Sequence, residues 1–555
     1  MIHCSILLFL FTLLFVSACK EVKFDGHKEN MFIVTDDCSN FLMTENVSAS
    51  SNNKVDEKIA RNYMASLPDG AITHVFLCPT AMRLIYKSNV WESVWDEVDS
   101  TIKPVIKPMG KVKFYDWQLW AKQWHESGIN LFSVLIEECR KKNISPWFSI
   151  RMNDVHNVTD WNATLTSNFW RRNPHLWRIP YGKNFRLWND LSFDYSHKEV
   201  RDRVIALVEE VLQMYDVDGI ELDWQRFGLH LRAGREQADA HCLTEVVERT
   251  RTLTKKYGKL KGKKIGVSVR IPQTPKYAVL VGIDAVDWAK KGLVDIIAPA
   301  PFFGTTDFRI SVNEWKDALG EDVSKKVDII PNCEMFAVPR SGDNPRHVAL
   351  CQAMFDGWAC CMYYNGATSL CAFNQFVNGK IAKTTSARGL SPRICADAPR
   401  RHPLSYRVKL VSNNNNRTQM HDLIQLTGSH QKDVSVEINS GILPSQERKV
   451  SVVVIYDSNT KILADVSLNG AKSTSEIIEI MNEDMVYKIF NGDMRSFSKV
   501  RPYPPWSVFE GKVKATYQFD FSALKAGINN VKINQMQTSA TVKWIEVDIN
   551  PFEKN

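Results

Sequence analysis

Although the chain holds 12 cysteines, none of them form a Cys-x-x-Cys pair, which removes zinc-ribbon and thioredoxin-like sites from consideration. Nor is there a basic tail. The formal net charge of +8 is spread along 555 residues, which argues against a nucleic-acid partner and leaves a polyanionic glycan open. No cluster of His, Cys and carboxylates stands at metal-ligand spacing, so neither a metal nor another cofactor is expected. A Gly-x-Ser-x-Gly nucleophile elbow is also missing, which gives an esterase reading no support.

The apolar run from Ile6 to Ala18 has 13 residues, too few to span a bilayer and suited to the hydrophobic core of an export signal. Residues 1–5 lack Lys and Arg, so the usual charged flank is absent. Val16-Ser17-Ala18-Cys19 reads either as small residues before a signal-peptidase cut or as a lipobox whose Cys19 becomes lipidated. Both readings predict an exported protein, secreted or held at a bacterial cell envelope, that meets a membrane only through a lipid anchor. Ten further cysteines lie between Cys38 and Cys395, where export permits disulfides but spacing assigns none.

With 44% hydrophobic and 24% charged residues, the composition is that of a globular protein long enough for two or three domains. Fourteen of the 16 tryptophans fall between Trp91 and Trp358 and no cysteine follows Cys395, which marks a boundary near residue 400. The expected order is a signal segment 1–19, a polar tether 20–60 containing Ser48-Ala49-Ser50-Ser51-Asn52-Asn53, a barrel 61–395 and an accessory domain 400–555.

Eight apolar runs of strand length are read between 72 and 374: Ile72 to Cys78, Pro146 to Arg151, Leu191 to Tyr195, Asp218 to Trp224, Ile265 to Arg270, Val294 to Pro299, Val327 to Cys333 and Ser369 to Asn374. Helical periodicity separates them, as in Leu131 to Lys141, His197 to Met214 and Val312 to Leu319. Strict alternation of this kind predicts an α/β fold, a (β/α)8 TIM barrel with parallel strands. After residue 400, alternating runs such as Val434 to Ile438 and Val450 to Tyr456, parted by Asn, Gly and Pro, predict an antiparallel β-sandwich, expected to pack more than to bind.

In Asp218-Gly219-Ile220-Glu221-Leu222-Asp223-Trp224, alternation turns Gly219, Glu221 and Asp223 into the barrel. Two neighbouring carboxylates in a lumen repel unless cations compensate. Arg151, Arg270 and Arg226 end or follow strands and supply that charge, and their guanidinium groups also suit an anionic sugar substituent. Glu334, at the end of Ile329-Ile330-Pro331-Asn332-Cys333-Glu334, adds an acid from the seventh strand. Paired carboxylates on two strands are what hydrolysis of a glycosidic bond needs, one as proton donor and the other as nucleophile or base. Asp223, Glu221 and Glu334 are therefore the catalytic candidates. Asp154, His156 and Asp307 are alternative acids, Asn153 and Asn374 suit hydroxyls, and Trp224, His230 and Arg232 stand where substrate would pass. Long loops after the first two strands carry Trp91, Trp95, Trp117, Trp120, Trp124, Trp161, Trp170, Trp177 and Trp188, whose indoles stack on sugars or fill loop cores.

The strand and its sequel, Asp218 to Gln225, resemble the D-G-x-D-x-D-W-E signature of family 18 chitinases. That family uses the final Glu as general acid, and Gln225 stands there in this chain, so the chitinase mechanism does not transfer. A broader resemblance links Val217 to Phe227, Ser145 to Asp154 and Thr305-Thr306-Asp307-Phe308 to bacterial glycoside-hydrolase-like barrel proteins, over roughly residues 70 to 380. It implies a carbohydrate-active barrel acting on a polysaccharide or oligosaccharide. The competing expectation is a glycan-binding barrel without turnover, which the Gln225 exchange would suit.

Overall fold

The computed structural model describes residues 31–42, 55–65, 67, 72–79, 81–179, 188–301, 306–334, 336–337, 348–349, 352–374, 393–395, 433–441, 443, 447–481, 511–535 and 540–550. The signal segment with Cys19, the run Ser48 to Asn53 and Thr305 lie outside them.

One parallel sheet closes on itself. Its strands are β1 (Phe32–Asp36), β2 (His74–Leu77), β3 (Ser145–Arg151), β4 (Gly219–Asp223), β5 (Gly266–Pro272), β6 (Ile296–Ala300), β7 (Asp328–Ile329) and β8 (Asn332–Cys333). A short hairpin, β9 (Phe336–Ala337) with β10 (Val348–Ala349), precedes the last wall strand, β11 (Leu370–Phe373). The order β7-β6-β5-β4-β3-β2-β1-β11-β8 makes β7 and β8 two halves of one wall, pairing with β6 on one side and β11 on the other. The result is the eight-walled (β/α)8 barrel that the alternation predicts.

Two assignments change. The first wall, β1, comes from within the segment read as a tether: Ile33 registers with His74 on one side and Cys371 on the other. Five buried residues, Phe-Ile-Val-Thr-Asp, make a strand too short to stand out in polar surroundings. Leu191 to Tyr195 is not a wall. It begins in a turn of 3-10 helix and pairs antiparallel with Leu176 to Arg178, where Arg178 N–H donates to Ser192 O at 2.8 Å and Asp194 N–H to Leu176 O at 2.8 Å. Its apolar side chains fill the rim loop beside Trp170 and Trp177 rather than the barrel, so the alternation there reflects a loop core.

The lumen is layered. At its base Met31, Ile33, Phe76, Trp147, Ile296, Ala298, Ile330 and Cys371 form an apolar plug separate from the outer core. Trp147 lies across it, stacked on Phe76 at 5.0 Å. Gly219 makes this possible, because a Cβ there would sit 2.2 Å from the Trp147 ring. Above the plug the register places Ser149, Glu221 and Ser268 side by side, and above those Arg151, Asp223 and Arg270.

Beyond the barrel, two antiparallel sheets follow. One has the order β12-β20-β14-β18-β17, from Arg393–Cys395, Val542–Asn550, Lys449–Tyr456, Val513–Phe519 and Ser475–Ile480. The other has the order β13-β19-β15-β16, from Asp433–Asn439, Ile528–Gln535, Ala464–Leu468 and Ala471–Lys472. The sandwich meets the barrel at helix Gln352–Tyr364, where the Cys361 thiol contacts Asn439 O at 2.8 Å. Gly441, at φ +66°, comes so close that a Cβ would stand 2.3 Å from the Cys360 carbonyl carbon.

Candidate active site

At the C-terminal mouth a single guanidinium ties the central acids together. Arg270 donates to Asp223 Oδ1 and Oδ2 at 3.1 and 3.3 Å, to Glu334 Oε1 at 2.5 Å and, through Nε, to Asn332 Oδ1 at 3.2 Å. All four side chains are buried, and the Arg270 guanidinium lies 3.8 Å from the centre of the Phe373 ring. Asp223 Oδ1 also accepts the backbone N–H groups of Gln225 and Arg226, each at 3.0 Å, which fixes the turn that leaves β4. Burial raises the Glu334 carboxyl above the usual carboxylate range in spite of Arg270 and Arg226 beside it.

One layer down, Glu221 takes a hydrogen bond on each oxygen, from Ser149 Oγ at 2.7 Å and Ser268 Oγ at 3.1 Å. Burial first, and then the charge of Asp223, push its pKa up to about 7. Glu221 therefore sits beneath the mouth, held by two hydroxyls.

A second ion group lies across the mouth. Arg151 faces Asp37 at 2.9 Å and Asp154 at 3.0 Å, and His156 Nδ1 stands 2.7 Å from Asp154 Oδ1. Burial opposes ionisation of Asp37, yet Arg151 and Arg226 hold its carboxyl below its ordinary value. Asp154 is likewise held low against burial, by His156 and Arg151. Asn374 joins this group: its amide donates to Asp37 Oδ2 at 3.2 Å and its backbone N–H to Thr35 O at 3.1 Å. On the outer face of β1, towards the helix that carries Tyr63, Asp36 is pushed up to about 7 by burial, against the hydrogen bond that Tyr63 OH gives it at 2.9 Å.

Between the two groups stands Arg226, its guanidinium 5.3 Å from the Phe227 ring centre and 5.8 Å from that of Phe373. Its Nε is buried without a hydrogen-bond partner among the described residues. Both amide atoms of Gln225, at the position of the chitinase acid, are likewise buried and unpartnered there.

Five candidates make contacts outside these two ion groups. The Asn153 amide is spent on the loops, donating to Phe193 O at 3.0 Å and Leu229 O at 3.3 Å and accepting Phe193 N–H at 3.0 Å. His230 Nε2 bonds Trp224 O at 2.7 Å, and burial lowers its pKa to about 4, so it is a neutral brace of the same loops. Trp224 is fully buried among Tyr195, His230 and Trp288, outside the lumen. Arg232 lies 3.7 Å from Asp194. Asp307 accepts Arg309 N–H at 2.9 Å, a loop-capping contact. Most rim tryptophans fill loop cores too: Trp170 and Trp177 are fully buried and stacked at 4.5 Å, and Trp91, Trp95 and Trp117 pack partly buried against the main core.

Asp37 and Phe373 are the mouth residues that sequence reasoning missed. Asp37 was lost with β1, whose Thr-Asp-Asp ending after an apolar run is the only signal it gives.

Fold and site together define a barrel with an arginine-bridged acid pair at its C-terminal face. Residues 96–256 match the family Glycosyl hydrolase-like 10, so the resemblance to glycoside-hydrolase-like barrels holds over a segment containing β3 and β4. No curated protein matches the chain significantly. Among solved structures, the chain is similar to a cycloisomaltooligosaccharide glucanotransferase from a Paenibacillus species at 10% identity and a TM-score of 0.35, covering 94% of this chain and 58% of that one. An α-L-fucosidase from Paenibacillus thiaminolyticus matches at 10% identity and a TM-score of 0.38, covering 65% and 48%. The PgaB glycoside hydrolase domain from Bordetella bronchiseptica matches at 9% identity and a TM-score of 0.37, covering 64% and 97%. The chain thus spans about half the length of the first two.

Proposed function

We propose that the protein is a glycoside hydrolase in which Glu334 protonates the leaving oxygen and Asp223 acts as nucleophile or base. The observation that carries this reading is the Arg270 bridge, which holds carboxyls from two walls at the mouth in different surroundings. Glu334, raised by burial, keeps its proton at a pH where an ordinary carboxylic acid has lost it. Asp223 is fixed by two backbone N–H groups and a guanidinium, so it meets the reacting carbon from one direction. Glu221 supports the pair from below.

Substrate enters over Arg226. Arg151 and Arg270 are in contact with carboxylates, whereas Arg226 acts on Asp37 and Glu334 through its charge and makes no ion-pair contact among the described residues. That supports a sugar bearing a carboxylate or sulfate, which the guanidinium would meet while the Phe227 and Phe373 rings offer apolar faces. Lipidation at Cys19 and export accompany this reading as proposals of their own.

The test is release of reducing ends from a panel of neutral and anionic polysaccharides, comparing wild type with Asp223→Asn and Glu334→Gln. Loss of release in both variants supports the assignment, and wild-type rates in both refute it. Glycan binding without release by the wild type would favour the non-catalytic reading, to which Gln225 lends its weight.

A further inference from the structure

The long rim loop between β2 and β3 contains a stretch of unusual composition, Ile102-Lys103-Pro104-Val105-Ile106-Lys107-Pro108-Met109-Gly110-Lys111-Val112-Lys113-Phe114-Tyr115. Ile102 and Ile106, four residues apart, pack against the main core. Their neighbours turn outward: Val105, Met109, Val112, Tyr115 and Leu119 are 44 to 61% exposed, although large apolar side chains in water need a reason when they cluster. Lys103, Lys107, Lys111 and Lys113 are exposed among them, and no Asp or Glu occurs between Asp99 and Asp116. The stretch is pinned to the loop after β3, with Met109 N–H on Asp160 Oδ1 at 2.7 Å, Asn162 Nδ2 on Gly110 O at 2.5 Å and Asn157 Nδ2 on Tyr115 OH at 2.8 Å. The backbone at Met109 and Gly110 and the Tyr115 hydroxyl are therefore tied to the neighbouring loop.

We propose that this patch docks the rim of the barrel on a lipid surface with anionic head groups. From Ile102 to Phe114 no side chain carries a carboxylate, amide or hydroxyl; the polar groups are lysine ammoniums and the weakly accepting Met109 thioether, and the rest is hydrocarbon. Ammonium groups alone would suit an anionic glycan as well as lipid phosphates, but the exposed aliphatic side chains interleaved with them give a polysaccharide little to bind and give acyl chains their apolar partners, so the combination selects a bilayer surface over a polysaccharide. The lysines meet the phosphates while Val105, Met109 and Val112 enter the head-group boundary. This inference stands on the loop alone and does not depend on the proposed hydrolase activity.

Co-sedimentation of the full chain with phosphatidylcholine vesicles, with and without phosphatidylglycerol, tests it. Two variants are compared with wild type. One joins Lys103→Gln, Lys107→Gln, Lys111→Gln and Lys113→Gln; the other joins Val105→Ser, Met109→Ser and Val112→Ser. Wild type is expected to prefer anionic vesicles and to lose them as salt rises. At about fivefold per lysine, the first variant loses binding on the order of a hundredfold or more, and the second weakens it at least tenfold. Both are expected to keep the wild-type unfolding midpoint, since only exposed side chains change. Partition that ignores lipid charge and all seven substitutions would assign membrane contact to another segment and overturn the proposal. Lysine-dependent retention on an anionic polysaccharide, indifferent to the three serines, would overturn it in favour of a glycan surface.

Discussion

Replacing Glu221 by Gln should stabilise the protein, and only above mildly acidic pH. Both Glu221 oxygens meet serine hydroxyls, at 2.7 and 3.1 Å, and a hydroxyl rotates to accept from an amide as readily as it donates to a carboxylate. The exchange thus keeps shape and hydrogen bonds and removes the titration. In the unfolded chain the carboxyl ionises near 4.5, in the barrel near 7, so the folded state binds the extra proton in between and loses stability as pH climbs through that window. At about 1.4 kcal/mol per pH unit, the wild type gives up on the order of 3 kcal/mol between pH 4.5 and 7 that the variant keeps. Urea unfolding of both proteins at a series of pH values measures the difference. It should be near zero at or below pH 4.5, grow toward neutrality and level off above about pH 7. A difference that is constant across this range, or a variant less stable than wild type at neutral pH, would refute the burial argument.

Further perturbations probe other layers of the barrel. Arg270→Met leaves Asp223 and Glu334 buried without their shared cation and should cost about 3–5 kcal/mol in urea unfolding at neutral pH, less once acid protonates both. Gly219→Ala drives a methyl into the Trp147 ring and should cost about 1–3 kcal/mol or more, with loss of near-UV circular dichroism from the plug. Asn153→Ala strands the buried Phe193 N–H and should cost about 1–3 kcal/mol, loosening the rim as read by hydrogen exchange at Phe193. Because Glu334 must carry its proton, the rate should fall on the alkaline side at a pH above the ordinary carboxylic range.

The lumen was legible in the sequence because strand alternation has a period of two: once Asp218 to Trp224 is a strand, Glu221 and Asp223 must share a face, and the Ser149 and Ser268 register follows. Surroundings were not legible. Alternation says that Glu221 and Asp223 point the same way, but not that the first is held between two serine hydroxyls while the second shares a guanidinium with Glu334. The Leu191 to Tyr195 run shows the converse failure, since apolar alternation arises wherever a chain borders a core, and this one borders the tryptophans of a loop. His230 and Asn153 carry chemistry-bearing groups that the structure spends on backbone carbonyls, a use that no spacing rule distinguishes from catalysis. Asp37 entered the site through a strand of five residues flanked by polar sequence.

The central claim, that Glu334 is the acid and Asp223 the nucleophile or base, meets its most direct test in the dependence of rate on leaving group. On a cleaved glycan and its dinitrophenyl glycoside, Glu334→Gln should hydrolyse the activated compound at close to the wild-type rate, since that leaving group needs no proton, and lose about 100-fold or more on the glycan. Asp223→Asn should lose both. Equal losses on both compounds in Glu334→Gln, or no loss on either, would contradict the assignment.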